Sequence, residues 1–353
     1  MESKRVCIPI GTPDSTIEWL LEPENPAVAV LTRRELLSEE DDEATTTLWS
    51  RRNDYEPVAV ILGALLPDGS WAFPSQDYRK YRGSLWQIHL LGDLWANGGD
   101  PRVTRAADYA FSRQLSDGSW STTNMQPGSS IPCLTSNVAR ALARMGWARD
   151  ERVVAALRNV VELYHGLGEI NCRLAQGYQL NGYCHMLTVK ELLFLGEVPG
   201  ELWPDGARHL RDACVAHLRA SEVFCYLPAE AQEFNAGRAA MRAGEHTAYR
   251  ERFLAEHPEL HFEQKPGWLR FGYPLSYNSD ALEALWALAR VGEPPGPEYR
   301  PAIDLVRSAA DEHMRWTLRN TFNGKMLADV EAKGRPSKWL TLRALQVLQW
   351  ADA

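Results

Sequence analysis

Apolar positions along the chain define two kinds of helical segment that alternate. Five segments are apolar on nearly every side, and amphipathic segments such as 102–114 and 150–164 lie between some of them. A helix that is apolar all round is buried, whereas an amphipathic helix lies on the outside of a fold. The pattern therefore predicts an all-α chain with inner and outer helices. The inner segments are 85–95, 134–145, 186–195, 281–291 and 340–348, and three of them are followed by a glycine typical of a helix C-terminus.

A short loop motif repeats with a period of about fifty residues. Residues 66–71 read Leu-Pro-Asp-Gly-Ser-Trp, and residues 115–120 read Leu-Ser-Asp-Gly-Ser-Trp, 49 positions later. A weaker echo follows at 168–170, and Pro266-Gly267-Trp268 is a candidate fourth copy. Asp-Gly-Ser favours a tight turn, and the tryptophan after it can pin the loop to neighbouring helices. A period of this length indicates helical hairpins as the repeating unit.

Inner helices that alternate with outer helices fit either an open solenoid or a closed ring of hairpins. We favour the ring, an α/α toroid, because the inner helices are too apolar to line an exposed concave face. The toroid is expected to span residues 57–353, with residues 1–56 forming helices that pack on it, around 16–21 and 27–37. A polar stretch at about 228–265 interrupts the rhythm as a helical insertion. It is either a surface hairpin or a lid over the mouth of the ring.

The composition indicates which binding partners and which cellular location to expect. The net charge of −8 argues against a nucleic-acid partner, because binding phosphates requires clustered Lys and Arg. No apolar run is long enough to span a bilayer, and the first residues lack a signal-peptide pattern, so a cytoplasmic location is expected. The six Cys should then be reduced, which favours metal binding or reactivity over disulfides. Thirteen Trp must fill a core or line a cavity. The oligomeric state is left open.

The repeat gives the inner helices a common register. Counting back 12 or 13 positions from the C-terminal ends of four inner helices reaches Cys133, Cys184, Asp280 and Lys338. Equivalent positions in a closed ring converge on its axis. We therefore expect these four side chains near one end of a central cavity. Cys172 follows the weak loop echo and precedes Cys184 by 12 positions, so it is expected there too.

Three thiols and one imidazole would complete a tetrahedral zinc site, and the candidate ligands are Cys133, Cys172, Cys184 and His185. His185 directly follows Cys184, and the side chains of successive helical residues point about 100° apart. Facing the same metal ion is therefore difficult for both, and Asp280 is the alternative fourth ligand. Two alternatives stay open. The cysteines are reactive thiols without a metal, or they are buried core residues, as free cysteines commonly are.

Proton transfer in such a cavity would fall to Asp280, Tyr277 or His185. The competing structural interpretation makes the 272–280 segment a helix cap, with Asn278 or Ser279 as the capping residue. His89, inside an inner segment, is expected to be a hydrogen-bonded core residue. Trp86 and Trp339 are core wedges or cavity walls, and Glu331 is expected to be a loop charge.

The loops and their period resemble the prenyltransferase and squalene-oxidase repeat superfamily, which includes squalene–hopene cyclases, class II terpene cyclases and protein prenyltransferase β subunits. Segments 80–87, 133–137 and 336–345 are most similar to bacterial squalene cyclase-like proteins. The resemblance implies an α/α toroid with its active site in a central cavity, and zinc in that cavity is compatible with it.

The chain also departs from that superfamily. It has neither an Asp-x-Asp-Asp nor an Asp-Asp-x-x-Asp motif, and Asp41-Asp42 lies in an acidic loop before the ring. Proton-initiated cyclisation and diphosphate ionisation are therefore not expected. Two functions follow from the sequence. The first is a zinc-dependent enzyme, a lyase, isomerase, cyclase or hydrolase, acting on an apolar or amphipathic small molecule. The second is a non-catalytic toroid that binds a ligand or a partner and holds a structural zinc.

Overall fold

The regular secondary structure of the described residues is almost entirely helical. The computed structural model describes residues 8–122, 131–167, 170, 184–226, 237, 245–258 and 263–353. A two-residue antiparallel ladder pairs Cys225–Tyr226 with Glu263–Gln264. The helices in the described ranges are α1 (Asp14–Leu20), α2 (Pro26–Leu31), α3 (Glu43–Ser50), α4 (Glu56–Gly63), α5 (Ser84–Asp93), α6 (Pro101–Ser112), α7 (Pro132–Leu142), α8 (Glu151–Leu167), α9 (His185–Leu195), α10 (Ala207–Ala220), α11 (His246–Glu256), α12 (Ala281–Arg290), α13 (Arg300–Ser308) and α14 (Lys338–Ala351).

The inner helices form a closed series. Helices α5, α7, α9, α12 and α14 pack in that order, each on the next, and α6, α8, α10 and α13 pack outside them. Helix α14 then packs against α2 and the π-helical turn Thr32–Leu36 that continues it. From α2 the contacts run through α3, the 3-10 turn Arg52–Asp54 and α4 back to α5. The predicted all-α toroid is therefore confirmed, and the wholly buried α2 takes an inner place beside α14.

The inner helices share one direction, since their ends meet at the same end of the ring. Asp93 ends α5, Arg144 follows α7 and Glu197 follows α9, and these three side chains are joined by ion pairs. At the opposite end, Trp86 in the first turn of α5 contacts Tyr277, which lies just before α12. The ring thus has an end formed by helix C-termini and a mouth formed by helix N-termini.

The Asp-Gly-Ser-Trp loops fasten each outer helix to the next inner helix. Asp68 Oδ1 accepts hydrogen bonds from the backbone N–H and the hydroxyl of Ser70, which closes the turn. The backbone N–H of Trp71 donates to Ser84 Oγ at 3.1 Å, and its indole Nε1–H donates to the carbonyl of Ile61 at 2.8 Å. One tryptophan therefore ties α4 to α5. The turn needs a left-handed residue, and the glycine at 69 has φ of 86°.

Trp120 and Trp316 repeat this geometry. Their backbone N–H groups donate at 3.1 Å to Thr135 Oγ1 and Thr341 Oγ1, respectively. Their indole N–H groups donate at 2.8 Å to the carbonyl ten positions earlier, as in Trp71. The candidate fourth copy at Trp268 does not repeat this geometry, because its backbone N–H donates at 2.8 Å to the carbonyl of Lys265 within the short helix Pro266–Leu269, and its ring lies 4.2 Å from that of His185. The third described copy is Trp316, and residues 168–169 of the weak echo lie outside the described residues.

Two further expectations concern the ends of the ring. The N-terminal helices expected around 16–21 and 27–37 are present as α1 and as α2 with its π-helical turn. Most of the insertion expected at about 228–265 lies outside the described residues, apart from α11 and the short ladder, so its role as a lid stays a prediction. In the described part of the chain, no helix is long and apolar enough to cross a membrane.

Candidate functional site

Charged side chains fill the axis of the ring toward its C-terminal end. Asp93 binds Arg140 and lies 3.4 Å from Arg144, whose Nε donates to Glu197 at 2.7 Å. Burial would raise the pKa of Asp93, but the neighbouring Arg140, His89 and Arg144 together outweigh it and hold that pKa below its usual value. The sequence predicts a central cavity for an apolar or amphipathic small molecule. The described part of the axis is instead a packed network of ion pairs.

A second buried pair joins α9 to α12. Lys190 Nζ lies 2.6 Å from Glu283 Oε2, and both side chains are almost completely buried. Burial would raise the pKa of Glu283, but Lys190 and then Arg343 outweigh it, so the pKa is lowered. A buried carboxylate is stable only with such partners, because removing it from water without compensation costs several kcal/mol.

The cavity at the ring centre is small and cationic. Its volume is about 20 Å³, enough for roughly one water-sized occupant. The guanidinium of Arg144 lies between the rings of Trp95 and Trp286, with 5.0 and 5.1 Å to their centroids. Arg343 lies 4.6 Å from the centroid of Trp286. An apolar substrate of ordinary size does not fit in this space.

His89 lies in α5, one helical turn before Asp93 and toward the N-terminal end of the ring. Its Nδ1 lies 3.2 Å from Ser276 Oγ, and its Nε2 lies 3.2 Å from Asp93 Oδ2 without the alignment of a good hydrogen bond. Burial lowers the pKa of His89 to about 4, so the ring is neutral at pH 7. Ser276 has a left-handed φ of 50° and is itself buried. His89 is therefore a hydrogen-bonded core residue, as expected.

Five aromatic rings converge at the N-terminal mouth. Trp86 is their hub, with centroid distances of 5.0 Å to Tyr277, 5.1 Å to Tyr81, 6.2 Å to Tyr78 and 6.5 Å to Phe322. Trp86 is buried, whereas the other four rings are partly exposed. We call this group the aromatic mouth. Here a partly exposed apolar surface lies against the N-terminal turns of the inner helices.

Three polar features accompany the aromatic mouth. The indole Nε1–H of Trp86 is buried and has no hydrogen-bond partner among the described residues. Two exposed ammonium groups lie over the ring of Tyr81, Lys80 Nζ at 5.2 Å and Lys325 Nζ at 5.5 Å from its centroid. Tyr81 itself holds a left-handed φ of 70°, a conformation that costs free energy in a non-glycine residue. The mouth therefore combines apolar area, an unused donor and positive charge.

The phenol of Tyr277 belongs to the same mouth. Burial raises its pKa well above the usual value, and the neighbouring Tyr78 and Cys133 raise it further. The hydroxyl is therefore protonated at neutral pH and acts as a donor, not as a base. Cys133, in the first turn of α7, lies close enough to Tyr277 to influence its ionisation. Among the three side chains predicted to transfer protons, Tyr277 is the one at a partly open surface.

Asp280 serves α12 as its N-cap. Its Oδ1 accepts from the backbone N–H of Glu283 and its Oδ2 from that of Gly272, both at 2.8 Å. The predicted caps Asn278 and Ser279 were therefore wrong. Burial raises the pKa of Asp280 to about 7. Because both oxygens hold backbone groups, a proton-transfer role would require breaking one of these bonds.

Both ring nitrogens of His185 have hydrogen-bond partners. Its Nδ1 lies 2.8 Å from Nε2 of His217, and its Nε2 lies 2.9 Å from the carbonyl oxygen of Val223. Burial lowers the pKa of His185 well below its usual value, and His217 lowers it further. In this arrangement His185 has no free nitrogen for a metal ion or a substrate.

The four residues of the common register lie in the first turn or at the N-cap of inner helices, and their neighbours differ. Cys133 adjoins Tyr277, Cys184 adjoins Lys265, and Asp280 caps α12. Lys338 turns outward and lies 2.7 Å from Glu22. The shared register fixes where a helix begins, whereas the direction of each side chain depends on its own rotation about the helix.

The structure describes three of the four candidate zinc ligands, Cys133, Cys184 and His185. Cys172 lies outside the described residues, and within the described ranges no group of three metal-ligating side chains is present. The donors that can be described do not fit a tetrahedral centre with His185, since both nitrogens of its ring are bonded elsewhere. A zinc site involving Cys133, Cys172 and Cys184 stays a prediction.

Glu331 differs from its expected role as a loop charge. It is largely buried and accepts hydrogen bonds from the Ser337 hydroxyl and from the backbone N–H of Lys338, at 2.8 Å for the latter. Burial raises its pKa to about 7. Glu331 thus stabilises the start of α14. The sequence signal for this role is its position a few residues before that helix.

Comparison with known proteins finds no matching family model and no matching curated protein. The solved structures that are similar to the chain include the following three, all at low identity. The type II terpene cyclase MstE from Scytonema is 14% identical, covers 84% of this chain and 96% of its own, and has a TM-score of 0.32. A variant of MstE in complex with merosterolic acid A is 14% identical with a TM-score of 0.33, covering 88% of this chain and 99% of its own. A protein from Actinoplanes is 15% identical with a TM-score of 0.34, covering 88% and 100%. Similarities at this level do not establish a shared function.

Proposed function

We propose that the toroid is an enzyme that binds an amphipathic small molecule with an anionic or strongly accepting head group at the aromatic mouth. The observation that carries this proposal is the buried indole N–H of Trp86, which has no acceptor among the described residues. A buried donor left unpaired costs about 1–3 kcal/mol. A ligand oxygen at Trp86 would recover that free energy.

The surroundings of Trp86 define the rest of the ligand. The rings of Tyr81, Tyr277 and Phe322 offer an apolar surface for a hydrocarbon or aromatic body. Lys80 and Lys325 place two positive charges beside that surface. Ligand sites commonly combine an apolar lining with a few convergent polar groups. An amphipathic anion matches both parts, whereas a neutral hydrocarbon matches only one.

Tyr277 supports catalysis at this site. Its protonated hydroxyl, which is hydrogen-bonded to Tyr78, would exchange that partner for an oxygen of the ligand as negative charge develops there. This role suits a lyase or an isomerase, in which charge accumulates on a carbonyl or carboxylate oxygen. Asp280 and His185 would serve as structural residues, since their polar atoms already hold backbone or histidine partners. No step is assigned to zinc.

A second function is supported by a specific observation. The functional groups that would supply a base, Asp280 and His185, are committed to the fold, so the mouth would also suit a carrier that binds without turnover. The two functions differ at Tyr277. In an enzyme, its hydroxyl is needed for conversion, whereas in a carrier its ring alone is needed for binding.

Binding can be measured with 1-anilinonaphthalene-8-sulfonate, an aromatic anion, and with N-phenyl-1-naphthylamine, a similar probe without the sulfonate. We expect the Lys80→Ala/Lys325→Ala variant to weaken binding of the anionic probe by about tenfold and to leave the neutral probe unchanged. Lys333→Ala is the matched control, because Lys333 is exposed in the same loop region as Lys325. Equal loss with both probes, or no loss with either, would refute the proposed ligand class.

A further inference from the structure

The centre of the ring carries more buried positive than negative charge. Four cations, Arg140, Arg144, Lys190 and Arg343, are buried there with three carboxylates, Asp93, Glu197 and Glu283. The pKa of each of these carboxyl groups is lowered, so all three are ionised at neutral pH. His89 is neutral. An excess of buried charge is costly unless a counterion compensates it.

Two guanidinium groups of this cluster, those of Arg144 and Arg343, have N–H donors without acceptors among the described residues. Arg144 uses Nε for Glu197 and Nη1 for Asp93, and its buried Nη2 has no partner among the described residues. Arg343 is 4.0 Å from Glu283 and, within the described part of the chain, donates no hydrogen bond. Both guanidinium groups line the central cavity of about 20 Å³. The positive charges of Arg144 and Arg343 therefore border the same cavity.

The walls of the cavity would favour an anion over a cation. The indole rings of Trp95 and Trp286 enclose Arg144 and keep bulk water from it. In such a low-dielectric site, attraction between opposite charges is much stronger than in water. Glu35 also lines the cavity, but its carboxylate is paired with Arg290 at 3.3 Å and accepts from Gln346 at 2.8 Å. Its charge is therefore largely compensated at the rim.

We propose that a monatomic anion, chloride in ordinary solution, binds in the central cavity against Arg144 and Arg343. The volume admits one such ion. The site is separate from the aromatic mouth, since it lies toward the C-terminal ends of the inner helices. Its role is to neutralise the buried charge, and its consequence is a fold whose stability depends on chloride.

Thermal unfolding tests this site. At constant ionic strength, we expect the wild-type Tm to rise by roughly 2–4 °C and then to level off as chloride or bromide replaces methanesulfonate, an anion much larger than chloride. Arg343→Met, which keeps the side-chain length and removes the charge, should abolish this response. Arg149→Met is the control, because Arg149 forms an exposed ion pair with Glu201. An unchanged wild-type Tm, or the same chloride response in Arg343→Met, would overturn the proposal.

A crystal of the wild-type protein grown in sodium bromide provides an independent readout if Arg343→Met does not fold. We expect an anomalous bromide peak in contact with both Arg144 and Arg343. Density for a water molecule without anomalous signal at that position would overturn the proposal. Neither experiment involves Trp86 or Tyr277, so failure of the anion site leaves the proposed function untouched.

Discussion

Lys190 and Glu283 form a fully buried ion pair, with 2.6 Å between Nζ and Oε2, across two inner helices whose residues lie 93 positions apart. Removing one partner leaves the other as an uncompensated charge in the core. We expect Lys190→Met to lower the free energy of unfolding by about 3–5 kcal/mol. The measurement is urea unfolding at pH 7.

The matched variant is Lys190→Met/Glu283→Leu, which replaces both charges with apolar groups of similar volume. It should recover most of the lost stability, because no buried charge remains without a partner. If the single variant loses less than about 1 kcal/mol, Glu283 is not held as a carboxylate by Lys190 and the charged axis is misassigned.

The stability of the protein should depend on His89 in mildly acidic solution. Burial lowers the pKa of His89 to about 4, below the value of about 6.5 expected in the unfolded chain. Between these values the unfolded state binds the proton and the folded state does not, so this contribution is complete above pH 6.5 and is lost as the pH falls toward 4. The advantage of wild type over His89→Gln should shrink by roughly 3 kcal/mol across that window.

Denaturant unfolding of both proteins at several pH values measures this difference directly. The comparison with His89→Gln cancels the opposing effect of Asp280, whose raised pKa of about 7 makes its contribution decrease as the pH rises from 4 to 7. A constant difference between the two proteins from pH 7 to pH 4 would show that His89 titrates normally in the fold.

Tyr277→Phe separates the enzyme from the carrier. The ring that contacts Trp86 remains, so binding of the anionic probe should change by less than about threefold, whereas turnover should fall by about 10²–10⁴-fold if the hydroxyl acts in the reaction. Turnover is followed by mass spectrometry of small molecules consumed from a cell extract. Tyr81→Phe is the control, since it removes a hydroxyl from the same mouth. Binding of the probe without any turnover by the wild type would favour the carrier, and equal turnover by wild type and Tyr277→Phe would show that the hydroxyl does not act in the reaction.

A zinc centre is tested by elemental analysis of the purified protein together with three single variants, Cys133→Ser, Cys172→Ser and Cys184→Ser. The sequence-based hypothesis predicts one zinc per chain and loss of the metal in all three variants. Cys214→Ser is the control, because Cys214 is a buried core residue of α10. Protein without stoichiometric zinc, or metal content unaffected by the variants, would show that the cysteines are not ligands.

Much of the fold could be predicted from the sequence because its signals are local. The alternation of apolar and amphipathic segments and the turns at Gly69 and Gly118 identify helical hairpins without knowledge of distant contacts. Trp316 escaped prediction because 25 positions separate it from its partner Thr341, compared with 13 between Trp71 and Ser84. The Asp-Gly-Ser signal before Trp316 is also missing.

The site was less accessible to sequence analysis. Lys190 and Glu283 are conspicuous charges within apolar segments, so a buried pair was detectable in principle, but their pairing depends on the rotation of two helices about their axes. The same limit applied to Lys338, which faces Glu22 and not the ring axis. The role of Trp86 was also undetermined, because an unpaired indole N–H is visible only when its neighbours are placed.

The indole N–H resonance of Trp86 tests the central claim most directly. In a ¹⁵N–¹H spectrum the chain gives one indole signal for each of its 13 Trp, and Trp86→Phe identifies the signal of Trp86. We predict that adding the anionic probe moves this signal downfield, as a free N–H gains an acceptor, while the signals of Trp120 and Trp316 stay in place because their N–H groups are already bonded. A saturating probe that leaves the Trp86 signal unmoved would contradict the account.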